Sequence, residues 1–91
     1  MFLKDRDAVL DYRLDWREAC VDGVAITASV WSVEPGHDGA ISVSDVAIGD
    51  LWTSAMLGGG VAGCVYRVGN RVTLSDGRVD ERSLVVRVEE R

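Results

Sequence analysis

The clearest pattern in the chain is strict alternation over residues 9–16. Leu10, Tyr12, Leu14 and Trp16 fall on one face, and Val9, Asp11, Arg13 and Asp15 on the other. A period of two is that of a half-buried β-strand, and alternating Asp and Arg on its wet face suits a strand at a sheet edge. Residues 17–23 read as a connection. A short helical piece over 17–20 is possible, and Asp22-Gly23 supplies turn chemistry before the next apolar run. Residues 24–33 are dense in β-branched side chains and predict a second strand. It stops at Glu34-Pro35-Gly36, where proline removes a ladder donor. Residues 40–43 and 45–48 predict two short, weak strands around a turn. Residues 51–57 predict another strand, broken at Gly58-Gly59-Gly60.

The last third predicts a hairpin. Residues 64–74 lead through Ser75-Asp76-Gly77-Arg78 to residues 82–88, and Asp-Gly is a strong turn signal. Alternation puts Tyr66, Val68, Val72 and Leu74 on the core side, with Leu84, Val86 and Val88 opposite them. Arg67, Arg71, Arg87 and Glu89 then point outward, so Arg–Glu pairing across the strands would blunt the positive charge. Asn70 shares the inward side of Tyr66 and Val68, which predicts a buried amide satisfying local backbone groups rather than a ligand contact. Tyr66, just after Gly63 at the start of the penultimate strand, sits where immunoglobulin-like folds place a tyrosine corner. The sum is an all-β fold, an immunoglobulin-like β-sandwich of about six to seven antiparallel strands.

Size and composition fit that reading. At 91 residues there is room for one core, so a single domain is expected over residues 1–91, with a short N-terminal arm over 1–8. Hydrophobic residues at 47% and charged residues at 27% are the proportions of a folded chain. The first residues turn charged within a few positions, so no secretory signal is read there and synthesis in the cytoplasm is expected. No apolar run is long enough for a spanning helix, and membrane insertion is not expected.

Charge and chemistry exclude more than they assign. The net charge of −5 argues against binding to a phosphate backbone, so no nucleic-acid partner is expected. No Lys or Arg occurs between Arg17 and Arg67, whereas Glu18, Asp22, Glu34, Asp38, Asp45 and Asp50 do; the final part is mixed. A solvated surface accounts for this, and an acidic edge meeting a basic edge of a neighbouring subunit is the sharper alternative. Cys20, Cys64 and the single His37 lack the spacing of a zinc site, and the two cysteines are expected as reduced thiols. The triple glycine lacks the Lys and Ser/Thr of a phosphate loop. No Ser/His/Asp order and no carboxylate pair can be placed in a common cleft, so no catalytic residue, cofactor or metal is assigned and an enzyme is not expected.

One resemblance spans nearly the whole chain. Lys4-Asp5-x-Asp7-Ala8-Val9-Leu10-Asp11-Tyr12 with Asp15-Trp16 opens it. Trp31-Ser32-Val33, Gly59-Gly60-x-Ala62-Gly63-x-x-Tyr66-Arg67-Val68-x-Asn70-Arg71 and Asp76-Gly77-Arg78-x-Asp80-x-Arg82-Ser83 follow, and Arg87-Val88-x-Glu90-Arg91 closes it. This combination resembles small phage and prophage structural proteins described as fibre-tail adaptors, which are neck and tail components. Arg6 stands where that pattern has proline, and Met56 where it has an aromatic residue. The resemblance implies a non-enzymatic immunoglobulin-like domain that sits in the virion after assembly in the bacterial host cytoplasm. Its partners would be other phage head, neck or tail proteins, with a homo-oligomer or ring possible. A carbohydrate- or protein-binding module of a surface protein is the alternative that the fold alone allows.

Candidate contact residues follow from strand parity rather than from motif. Trp52 and Met56 share one side of their strand, where they would be interface anchors if they lie outside and core if they lie inside. Asp11, Arg13 and Asp15 form a charged face that is a second candidate, with plain solvation as the other reading.

Overall fold

The computed structural model describes residues 2–90, so Met1 and Arg91, the ends of the expected domain, lie outside the described residues. Seven strands follow one another: β1 (Phe2–Asp5), β2 (Leu10–Asp15), β3 (Ile26–Glu34), β4 (Ile41–Ile48), β5 (Trp52–Gly59), β6 (Val65–Leu74) and β7 (Val79–Glu89). They form a four-stranded sheet in the order β1-β7-β6-β3 and a three-stranded sheet in the order β2-β5-β4. In the lettering of an immunoglobulin sandwich these are G-F-C and B-E-D, with the first strand moved onto the G strand. That move makes β1 run parallel to β7, while the other four pairings are antiparallel. Four residues of the N-terminal arm thus belong to a sheet.

Alternation translates directly into burial along β2 and β6. Tyr12 and Leu14 are half-buried and Trp16 is fully buried, whereas Asp11, Arg13 and Asp15 are exposed. Tyr66, Val68, Val72 and Leu74 are buried on β6, facing Val86 and Val88 of β7. Arg87 pairs along its own strand with Glu89 at 3.7 Å. Residues 17–20 close as a turn on the Trp16 carbonyl and do not continue as a helix.

Two local expectations are corrected. The pair of short strands over 40–48 is one strand, β4, kinked where its register with β5 shifts between Ser44 and Ala47. Asp45 takes φ 48° there, so a bulge absorbs one residue without ending the ladder. The triple glycine does not stop β5 at Leu57 either. Gly58 and Gly59 pair with Ser42 and Ile41, because the ladder needs only backbone. Gly60 makes the turn, at φ 99°, and a Cβ there would meet Val88 Cγ2 at 2.5 Å.

The core has two parts. Ile41, Leu57, Tyr66, Val68, Val86 and Val88 fill one, and Trp16, Cys20, Ile26, Val72 and Leu74 fill the other. A polar layer lies between them. Trp16 Nε1 donates to Thr53 Oγ1 at 3.0 Å, and the Thr53 hydroxyl donates to Asn70 Oδ1 at 2.7 Å. Asn70 Nδ2 donates in turn to Ser29 Oγ at 2.8 Å and to the Val30 carbonyl at 3.2 Å. The inward amide is therefore satisfied by side chains from both sheets as well as by backbone, which is what lets a polar group sit at 0% exposure. Cys20 and Cys64 pack against different parts of the core as unbridged thiols.

Tyr66 forms the expected corner. Its hydroxyl oxygen accepts the Val61 N–H at 3.0 Å and donates to His37 Nε2 at 3.2 Å. The His37 Nδ1–H donates to the Asp38 carbonyl at 2.9 Å, so a turn histidine completes the corner.

Candidate docking face

The register of β2 with β5 decides where the candidate residues go. Asp11 stands opposite Met56, Arg13 opposite Ser54 and Asp15 opposite Trp52. Since Thr53, Ala55 and Leu57 are the buried side of β5, Trp52 and Met56 lie on the outside of the sandwich, half-buried by their neighbours. Two separately chosen groups, Trp52 with Met56 and Asp11 with Arg13 and Asp15, thereby share the outer face of one sheet. Strand β4 extends the same face through Ser44, opposite Met56, and Ala47, opposite Ser54.

The two groups also touch. The Arg13 guanidinium lies over the Trp52 ring, 4.2 Å from its centroid. Gly49 makes room on the strand entry, since a Cβ there would overlap the Trp52 indole. Arg17 Nε lies 3.1 and 2.9 Å from the two Asp15 carboxylate oxygens, and the Arg17 backbone N–H donates to Oδ1 at 3.0 Å. These hydrogen bonds hold the Asp15 carboxyl below the usual aspartate value. Arg13, Asp15, Arg17, Leu51 and Trp52 line an open depression of ≈ 470 Å³.

Arg82 of β7 secures the rim from the other sheet. Its Nη1 donates to the Asp15 carbonyl at 2.7 Å, and its guanidinium lies 4.5 Å from the centroid of the Trp16 ring. The sequence reading did not single out Arg17, Gly49, Leu51 or Arg82. Only Arg17 left a local signal, an Asp two residues before it that can close an Asx turn. Arg82 is 67 residues from Asp15, and no spacing announces that contact.

Among the described residues no group of three or more His, Cys, Asp or Glu stands close enough together to hold a metal ion. What the face offers is contact chemistry: an indole, a thioether and guanidinium groups, residue types enriched where proteins meet. The fold is that of an immunoglobulin-like β-sandwich, with Trp52, Met56 and Arg13 on the outer face of one sheet. The chain belongs to the podophage GP4 fiber-tail adaptor protein gp77 family, whose model matches residues 4–87. A comparison with curated proteins finds no match. Membership makes the protein a phage structural adaptor, which implies a place in the virion and binding to other tail proteins.

Proposed function

We propose that the protein joins tail-fibre and other tail proteins of the particle without catalysis, and that the outer face of the β2-β5-β4 sheet is its contact surface. One observation carries this reading: Arg13 stacked on Trp52 in the same face as Met56, outside a core that is complete without them. Side chains of this kind dominate the energetics of contacts when a partner covers them and excludes water. Asp11, Asp15 and Arg17 surround the anchors and would set orientation rather than affinity. Attachment takes place as the particle is assembled in the host cytoplasm.

The test is made on particles. Phage carrying Trp52→Ala should assemble tails that lack fibres, seen by electron microscopy and by protein composition, while Asp22→Asn particles stay complete. Particles that keep their full fibre complement when Trp52, Arg13 and Met56 are all replaced by Ala would rule out this face. Complete, infectious particles after deletion of the whole gene would rule out the adaptor role itself.

A further inference from the structure

Four strands border the two sheets, β1 and β3 in one and β2 and β4 in the other. A bare edge is a template for pairing, and most edges carry a device against it. Strand β1 is only four residues long. Strand β2 carries Asp11, Arg13 and Asp15, and β4 is kinked by its bulge at Asp45. From Ala28 onward, strand β3 has none of these. It is nine residues long, with no charge or proline before Glu34. From Ala28 to Glu34 it keeps unbroken step with β6, its register shift being confined to the start.

The surroundings of β3 are apolar in the middle and acidic at the ends. Val30 is 63% exposed on the strand itself. An opening of ≈ 280 Å³ runs between Thr27, Ala28 and Ser29 on β3 and Val46, Ala47 and Ile48 on β4, with Val46 and Ile48 both exposed. Glu34 closes one end of the strand. Asp50 stands at the other, its carbonyl accepting the Ile26 N–H at 2.9 Å, and Asp45 lies on the neighbouring β4. Arg67 and Arg71 stand one strand inward, in register with Glu34 and Val30. A second copy of this chain would bring its own carboxylates against these, in a protein that already carries a net charge of −5.

We propose that β3 is a strand-addition edge that takes an extended segment of a partner protein, apolar at alternate positions and bearing Lys or Arg at its ends. Backbone hydrogen bonds along the ladder supply affinity, Val30 and the Val46–Ile48 side give the apolar contact, and Glu34 and Asp50 select the charge of the ends. The proposal rests on the adaptor reading only in that the protein has partners to bind.

The experiment uses the intact ¹⁵N-labelled protein and two synthetic probes. One is a short capped peptide of alternating Val and Thr with Lys at each end, and the other is its twin with Glu at each end. The Lys-ended peptide should slow amide hydrogen exchange within Ala28–Glu34, less so at high salt, and the Glu-ended twin should not. A Val30→Lys, Ser32→Lys double variant with an unchanged thermal melt should lose that protection, and Trp52→Ala should keep it. No slowing with the Lys-ended peptide, equal slowing by both peptides, or slowing confined to β1, β2 or β4 overturns the proposal. Dimerisation in the absence of peptide that disappears in the double variant overturns it in favour of a second copy. Retention of protection in Trp52→Ala separates this edge from the β2-β5-β4 face, so either reading can fail alone.

Discussion

Thr53 of β5 donates its hydroxyl proton to Asn70 Oδ1 of β6 at 2.7 Å, with both residues at 0% exposure, and this bond joins the two sheets between the two halves of the core. Thr53 also accepts the Trp16 indole proton, so it serves two buried partners at once. An apolar residue in either place would fill the space and strand a polar neighbour.

Thr53→Val should therefore destabilise the protein by about 2–3 kcal/mol, because it leaves Trp16 Nε1 and Asn70 Oδ1 without partners. Asn70→Ala should cost a similar amount, and the double variant clearly less than the sum, since both break one network. Urea unfolding of the four proteins measures the coupling. Additive losses would mean that the two side chains act independently.

The Arg13–Trp52 stack behaves differently because it is solvent-facing. Cation–π contacts in such places contribute about 0.5–1 kcal/mol, so Arg13→Ala, which leaves the half-buried indole in place, should lower stability by no more than about that amount. Gly49→Ala, in contrast, should displace the indole and shift the tryptophan fluorescence with little change in the unfolding midpoint. A Gly49→Ala spectrum identical to the parent would show that the ring does not depend on that gap.

Asp15 should titrate below the ordinary aspartate range when followed by NMR, because Arg17 hydrogen bonds favour its charged form. A depressed folded-state value adds stability above the unfolded pKa of 3.8, and that stability is lost as pH falls through the folded value. Arg17→Ala removes the side-chain hydrogen bond and charge and should raise the Asp15 value part of the way, since the backbone N–H of residue 17 still donates to Oδ1. Asp76, held down by Arg78 backbone and side-chain hydrogen bonds, should be unaffected by that change and serves as the internal control.

Lys4 gives the opposite limb of the pH profile. It is 1% exposed, and its Nζ donates to the Asp5 carbonyl at 2.8 Å and to the Gly59 carbonyl at 2.7 Å, tying β1 to β5. Burial lowers its pKa from 10.5, with Asp5 and Asp7 opposing the shift. The unfolded chain then holds the proton longer, so stability from this group rises with pH between the folded value and 10.5. Tyr12 runs the other way: burial raises its pKa from 10.0, and its contribution is lost as pH rises through the folded value. Lys4→Met should remove the rising part alone, read as the pH dependence of unfolding in the parent minus that in the variant. An unchanged difference across this window would mean that Lys4 is not desolvated.

The amino-acid pattern by itself determined the strands whose two faces differ sharply. Leu10 to Trp16 and Tyr66 to Val88 alternate, and the buried and exposed sides are those the alternation assigns, because a period of two leaves a strand one way to hide its apolar face. Tyr66 and Asn70 were legible for the same reason. The pattern was weakest where backbone alone carries the structure: the bulge at Asp45 and the pairing of Gly58 and Gly59 have no side-chain signature. The tertiary structure decided what depends on residues far apart in the chain. Register placed Trp52 and Met56 outside, against Asp11, Arg13 and Asp15, and sheet order left β3 as an edge. Lys4 reads as the charged start of a loose arm until β1 pairs with β7 and carries it to the Gly59 carbonyl. Each of these follows from which strands meet, and local periodicity holds no information about that.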